Sequence, residues 1–363
     1  MLAGAGYEAI IFSQMNSNGV PVPPHRAQAA RDVAAALTSA RHVVLTTHVN
    51  ADGDGIGSEI GLWHMLRARG VSVAIANPTR IPERFSFLVP EGADASNRAI
   101  KEIERADVVA SLDIGDISRL GGLATVINER QPPFVCIDHH VGPLKLPAGP
   151  CLIAPEATAT AELVFDLANV AGWPLTAESA QALYVGLLTD TGGFRFSNTT
   201  ARALRVAAAL LEKGVDPESI YASVYASAPE GRVRLLAEVL QTLVVEPEVG
   251  LAWVSVPPDA LRRHAVTADD LDGIVEFPRS IAGVRMALLF RHIANGRVKV
   301  SFRSMGEVDV AALANQFGGG GHHRAAGASI DGTMAEVEEK VLSAARAFLG
   351  NGGGGGGETS HRE

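Results

Sequence analysis

The feature that most limits what this chain can fold into is a repeated one. Short apolar runs each end in an acid or a histidine. Residues 42–47 run into His48-Val49-Asn50-Ala51-Asp52-Gly53-Asp54, residues 106–112 into Asp113, and residues 134–137 into Asp138-His139-His140. A helical run, 180–189, delivers Asp190 just before Thr191-Gly192-Gly193. Strand-like runs separated by helical ones predict a mostly parallel sheet covered by helices. In such a sheet the carboxyl ends of the strands share one edge, where ligands bind. Acids and histidines brought repeatedly to that edge converge into an oxygen- and nitrogen-rich cage suited to two divalent cations.

The alternation is regular through the first 214 residues. A helix at 26–37 leads into the first strand, a helix is expected at 58–69, and a strand at 71–76. Helices at 159–168, 177–188 and 200–213 close the domain. Lys213-Gly214-Val215-Asp216-Pro217 reads as a helix stop and a breaker. Beyond it the texture changes. Residues 243–246 and 251–256 read as a hairpin, and 284–293 and 297–303 flank Asn295-Gly296, a strong turn signal. Thr333 and Glu336 form a capping box that opens a last helix ending near Phe348. The expected architecture is an α/β domain with a mostly parallel sheet, followed by a smaller mixed α/β domain. The expected boundaries are 1–24 extension, 25–214 catalytic domain, 215–230 linker, 231–349 substrate-binding domain and 350–363 disordered glycine-rich tail.

Composition narrows the functional classes. The 363 residues include 47% hydrophobic and 20% charged side chains, ordinary for a soluble protein that buries a core. The net charge of −9 argues against a protein that coats long nucleic acid through a basic face. A short anionic substrate stays compatible, because bound metal reverses the local sign. With only Cys136 and Cys151 present there is no thiolate metal pattern. Cys136 reads as a small buried hydrophobe in a reducing, cytoplasmic setting. No run approaches a membrane span, and no secretory signal is evident.

The residue types in the four segments suit metal chemistry. Asp52 and Asp54, two apart, point the same way if their segment is extended. Two adjacent histidines beside a buried Asp138 are costly unless paired or liganded. In combination the segments resemble the motifs of the DHH phosphoesterase superfamily. Gly318-Gly319-Gly320-Gly321-His322 resembles the glycine-rich motif of the DHHA1 domain. The likeness covers roughly 42–348 and is nearest to the nano-RNase and pAp-phosphatase branch, some of whose members cleave cyclic dinucleotides.

The resemblance implies that His48 and Asp52 bind one cation, that Asp54, His139 and Asp190 bind the other, and that Asp113 bridges them. It implies Mn²⁺, with Mg²⁺ as the alternative. His140 then contacts a phosphate oxygen or assists the leaving oxygen, and Asp138 orients a neighbouring histidine. Gly319, Gly320, Gly321, His322, His323 and the pair Arg303-Ser304 become substrate contacts on a second domain acting as a lid. Arg195 is a further candidate. An arginine suits bidentate phosphate recognition. The expected reaction is hydrolysis of short oligoribonucleotides, dinucleotides or pAp, with no long nucleic acid and no membrane as partner and with a homodimer implied by the likeness. An inorganic pyrophosphatase of the same superfamily is disfavoured by the glycine-rich segment. A catalytically inactive nucleotide sensor is disfavoured because every ligand type is present.

Overall fold

The computed structural model describes residues 19–226, 228–293 and 296–350. Most of the expected N-terminal extension, the glycine-rich tail and Asn295 of the turn therefore lie outside the described residues, as does the side chain of His322. The chain divides into two compact units, 1–227 and 228–363.

In the first unit, α1 (Pro24–Ser39) precedes β1 (His42–Thr46), α2 (Gly53–Arg67), β2 (Ser72–Ile75), α3 (Ala99–Arg105) and β3 (Val108–Leu112). Then follow α4 (Gly122–Arg130), β4 (Phe134–Asp138), β5 (Cys151–Ile153), α5 (Thr160–Ala171), α6 (Ala177–Asp190), α7 (Ala201–Leu211) and α8 (Pro217–Tyr225). The strands form one sheet in the order β2-β1-β3-β4-β5, with every neighbouring pair parallel. β3 and β4 are buried along their whole length. Near-continuous burial is what a parallel sheet covered on both faces requires. Val43 and Leu45 face a core that also holds residues of α1, α2, α5 and α6, while Val44, Val109, Phe134 and Cys136 face one built with α3 and α4. The segment expected as a linker contains α8, capped by Asp216, whose carboxylate accepts from the Glu218 and Ser219 amides.

The second unit begins with α9 (Glu230–Leu240) and has a six-stranded mixed sheet. Its strands are β6 (Val244–Glu246), β7 (Leu251–Ser255), β8 (Met286–Ile293), β9 (Arg297–Ser304), β10 (Gly320–His322) and β11 (Ala325–Asp331), with α10 (Ala260–Arg263), α11 (Glu276–Arg279), α12 (Val310–Asn315) and α13 (Met334–Gly350). The order is β10-β11-β9-β8-β7-β6, and the β7–β8 pair is the parallel one. β8 and β9 pair antiparallel from Ile293↔Arg297 onward. The capping box is present: the Thr333 amide donates to Glu336 Oε2 at 2.9 Å, and the Glu336 amide donates to Thr333 Oγ1 at 3.4 Å.

Candidate metal centre

The segment holding Asp52 and Asp54 is not extended but opens a helix. α2 starts at Gly53, five residues before the helix start expected at 58. Asp52 is its N-cap, with Oδ1 accepting from the amides of Asp54 and Gly55, both at 3.1 Å. An Asp at this position satisfies two of the amide donors that a helix start leaves open. Asp54 thus sits in the first helical turn and turns inward. It is buried, and it meets the N-terminus of α5: the Thr160 amide donates to its Oδ2 at 2.6 Å and the Ala161 amide to its Oδ1 at 2.9 Å. The open amides at a helix start hold a carboxylate well.

Asp113 follows β3 with φ at +62°, a left-handed conformation uncommon for a residue other than glycine. That turn aims its carboxylate across the sheet edge. Oδ2 lies 3.5 Å from His48 Nε2, and Oδ1 lies 3.5 Å from His139 Nε2. Thr160 Oγ1 donates to Oδ1 at 3.1 Å. Around His48 Nε2, Asp52 Oδ2 stands at 3.7 Å. Around His139 Nε2, Asp54 Oδ2 stands at 3.8 Å and Asp190 Oδ2 at 3.7 Å. The donor atoms fall into three overlapping groups: His48, Asp52 and Asp113; Asp54, His139 and Asp190; Asp113, His139 and His140. Within each group all donors lie within 4.8 Å of one another.

The ring orientations fit metal ligation. His48 Nδ1 donates to the Val49 carbonyl at 3.0 Å, and His139 Nδ1 to the Ala157 carbonyl at 3.2 Å. A carbonyl can only accept, so each Nδ1 carries a proton, and Nε2 is the nitrogen turned toward the carboxylates. His48 Nε2 is buried and has no hydrogen-bond partner among the described residues. In the metal-free chain the carboxylates also favour the protonated rings. Burial disfavours charge on His48, yet Asp113 and Asp52 drive it up to about 10. His139 is likewise driven up to about 9 by Asp54, Asp113 and Asp190 against its burial. Burial and the neighbouring Asp113 and Asp190 carboxylates push Asp54 well up, and burial with Asp113 and Asp52 pushes Asp190 up to about 6. Burial works to raise Asp52, but His48 and the capped amides hold it down at about 2. Four carboxylates crowd two imidazoles, so negative charge is in excess, and two divalent cations would balance it.

His140 stands beside this cluster. Its Nδ1 is 2.7 Å from Asp138 Oδ1, and Arg119 Nη1 is 3.4 Å from its Nε2. Burial alone would raise Asp138; the bond with His140 outweighs it and holds the carboxyl below its usual range. Arg195 lies past the end of α6 and donates through Nε to the Gly192 carbonyl at 2.6 Å.

In the second unit, Arg303 is half-buried on β9 with Nε 3.3 Å from Glu276 Oε1. Ser304, expected to contact substrate, is fully buried and donates its hydroxyl to the Val308 carbonyl at 2.7 Å. Gly320 and Gly321 pair with Gly327 and Ala326 across the β10–β11 hairpin. A Cβ at Gly321 would stand 2.5 Å from the Ala325 carbonyl oxygen, and one at Gly319 would stand 2.2 Å from that of Gly327. Close approach of strand to strand is thus itself a reason for glycine there. His323 is exposed, and its carbonyl accepts from the Val310 amide at 2.9 Å.

Three parts of the first site were not singled out from the sequence. Thr160 holds Asp113 and Asp54 together. Arg119 touches His140. Glu59 and Asn77, both fully buried, meet through Asn77 Nδ2 and Glu59 Oε2 at 2.8 Å.

Fold and site together define an α/β protein with a carboxylate–histidine cluster that could hold metal at the carboxyl edge of a parallel sheet. The model of the DHH family, N-terminal domain, matches residues 42–187, and that of the DHHA1 domain matches residues 251–351. A bifunctional oligoribonuclease and PAP phosphatase NrnA from Thermus thermophilus is 36% identical over 316 residues, 85% of this chain and 90% of that one. A cyclic-di-AMP phosphodiesterase GdpP from Geobacillus thermodenitrificans is 25% identical over 85% of this chain and 48% of its own length. The crystal structure of an exopolyphosphatase-related protein from Bacteroides fragilis superposes with a TM-score of 0.84 at 28% identity, covering 91% of this chain and 98% of that one. The chain belongs to the DHH family and carries a DHHA1 domain. Among the described residues no helix is long and apolar enough to cross a membrane.

Proposed function

We propose that the chain is a divalent-metal-dependent phosphoesterase that hydrolyses short oligoribonucleotides and PAP. Its relation to the Thermus oligoribonuclease and PAP phosphatase supports that substrate class. The match to a cyclic-di-AMP phosphodiesterase favours cyclic dinucleotides as a second class. The observation that carries the reading is the placement of Asp113, with one carboxylate oxygen facing each histidine.

In this reading His48 and Asp52 hold one cation, Asp54, His139 and Asp190 hold the other, and Asp113 joins them. The mixed imidazole and carboxylate set suits Mn²⁺ better than Mg²⁺, which prefers oxygen and keeps its waters. When bound, the cations stabilise charge on the phosphoryl oxygens and lower the pKa of water. The protein's own groups orient the reaction. Asp138 fixes His140, whose ring meets a phosphate oxygen or delivers a proton to the leaving oxygen. Arg119 and Arg195 add positive charge in the first unit. Within the second unit, Arg303 and His323 are the proposed phosphate contacts.

The test is hydrolysis of a labelled diribonucleotide by metal-stripped protein with and without added Mn²⁺, beside Asp113→Asn. Turnover is expected to stop on stripping and return with Mn²⁺. Asp113→Asn is expected to stay folded and to lose activity together with the uptake of both ions. Full turnover by the stripped protein, or near-normal turnover by Asp113→Asn at saturating Mn²⁺, would overturn the reading.

A further inference from the structure

We infer that Asn77, held in place by Glu59, is a positioning residue for His48: its side-chain amide completes the hydrogen bonding at the end of β1 and so fixes the direction in which His48 presents Nε2 to Asp52 and Asp113. The inference rests on the reading of His48, Asp52 and Asp113 as a cation site.

The local sheet explains the arrangement. The β1–β2 register ends at Leu45↔Ile75, and the Ala76 amide makes a last backbone bond to the Leu45 carbonyl at 2.9 Å. One step further on, the Thr47 amide donates instead to Asn77 Oδ1 at 2.8 Å. The side chain of Asn77 thereby extends the ladder by one rung, just where the chain must leave the sheet to place His48. On its other face Asn77 Nδ2 donates to Glu59 Oε2 at 2.8 Å, and the Asn77 backbone amide donates to Ser96 Oγ at 3.1 Å. The amide cannot flip, because a flip would set N–H against N–H at Thr47 and oxygen against oxygen at Glu59. The Thr47 side chain is also confined. Its Oγ1 lies where a Cβ on Gly55 would be 2.5 Å away. The residue before His48 is therefore held by its amide hydrogen bond on one side and by close packing against Gly55 on the other.

Glu59 makes a purely structural explanation expensive in free energy. It is fully buried, and its Oε1 has no hydrogen-bond partner among the described residues. A half-satisfied buried carboxyl is costly, and apolar side chains would tie α2 to β2 without that cost. What the acid provides is an acceptor for Asn77 Nδ2, and with it the orientation of Oδ1 toward Thr47. Groups that orient metal ligands in this way typically alter affinity by ten- to a hundred-fold when removed.

The experiment is Mn²⁺ titration of the metal-free full chain, read from the electron paramagnetic resonance of free Mn²⁺, for the unaltered protein, Asn77→Ala, Glu59→Gln and Glu59→Leu. The unaltered chain is expected to bind two ions. Asn77→Ala is expected to bind one of them about ten- to a hundred-fold more weakly and to keep the other. Glu59→Gln keeps an acceptor for Asn77 and is expected to match the unaltered chain, which tests the role without endangering the fold. Glu59→Leu, where it folds, is expected to follow Asn77→Ala. Two ions bound by Asn77→Ala with unchanged affinity, even with a lowered melting temperature, would overturn the inference while leaving the metal reading intact. Weakening by Glu59→Gln equal to that of Asn77→Ala would also overturn it, since charge and not orientation would then be at work. An unaltered chain that binds no Mn²⁺ would overturn the underlying reading instead.

Discussion

Gly57 of α2 lies against the backbone of Ala182 in α6, so close that a Cβ on Gly57 would stand 2.4 Å from the Ala182 carbonyl oxygen. It would also stand 2.9 Å from the Gly186 amide nitrogen. The contact has a chemical consequence, because α2 carries Asp54 and α6 carries Asp190, and both reach for His139. Gly57→Ala forces the two helices apart, and backbone cannot swing aside as a flexible side chain would. Overpacking of this kind costs about 1–3 kcal/mol. The expected outcome is a lower urea midpoint together with weakened binding of the ion held by Asp54, His139 and Asp190. Unfolding curves and Mn²⁺ titration of the same preparation check both. Unchanged stability and unchanged affinity would mean that α6 does not depend on this approach.

That contact also marks the limit of what the sequence discloses. The strand ends are legible because a ligand-type residue after an apolar run stands out whatever the backbone does next. Asp113, Asp138, His139 and His140 are of this kind. Asp52 and Asp54 are legible as residues, while their geometry is not. Whether a Gly-Asp-Gly stretch stays extended or opens a helix depends on whether Asp52 caps the following amides, which spacing does not decide. Gly57 hides for a different reason: its need for glycine comes from a helix more than a hundred positions away. Glu59 hides because an acid on a helix ordinarily faces water, and only the partner Asn77 makes its burial tolerable. In the second unit, the glycines expected to contact substrate prove at Gly319 and Gly321 to lie close against a neighbouring strand.

Glu59 gives the pH dependence a definite sign. Burial raises its carboxyl from the ordinary 4.5 to about 8, against the opposing pull of Asn77 and His48. A group raised on folding contributes stability that is whole below its unfolded pKa and is lost as pH climbs through its folded one. The window therefore runs from pH 4.5 to about 8. Glu59→Gln removes this titration and leaves the other groups in place. The unfolding free energy of the unaltered metal-free chain, minus that of Glu59→Gln, is expected to fall steadily across the window and level off above it. Urea unfolding at half-unit steps of pH measures the difference. A difference that is flat, or that rises with pH, would show that Glu59 is ionised throughout.

Arg303→Ala is expected to separate substrate contact from metal binding. Arg303 sits in the second unit beside Glu276, and among the described residues none of the grouped metal-type donors belongs to that unit. Loss of one charge-assisted phosphate contact costs about 1.5–3 kcal/mol, or roughly ten- to a hundred-fold in kcat/KM. Metal occupancy should stay at the level of the unaltered chain. Steady-state kinetics on a diribonucleotide, paired with metal analysis of the purified variant, checks both halves. Lost metal would place the residue in the wrong role, and unchanged kcat/KM would remove it from the substrate contacts.

The last expectation concerns substrate length. A chain of net charge −9 has little electrostatic attraction for a long polyanion, since each added phosphate is repelled unless a cation meets it. The side chains proposed as phosphate contacts are few: Arg119 and Arg195 in the first unit, Arg303 and His323 in the second. They suffice for a handful of phosphates, and contacts of this type read backbone and not base. Mononucleotides should therefore be released stepwise, with kcat/KM falling steeply from two to about five nucleotides and varying little with base, as orientation by a few fixed contacts implies. The measurement is a ladder of labelled RNAs from dinucleotide upward at one salt concentration. Equal or faster cleavage of the longest strand would contradict this and show that the chain holds extended RNA through a surface that these side chains do not account for.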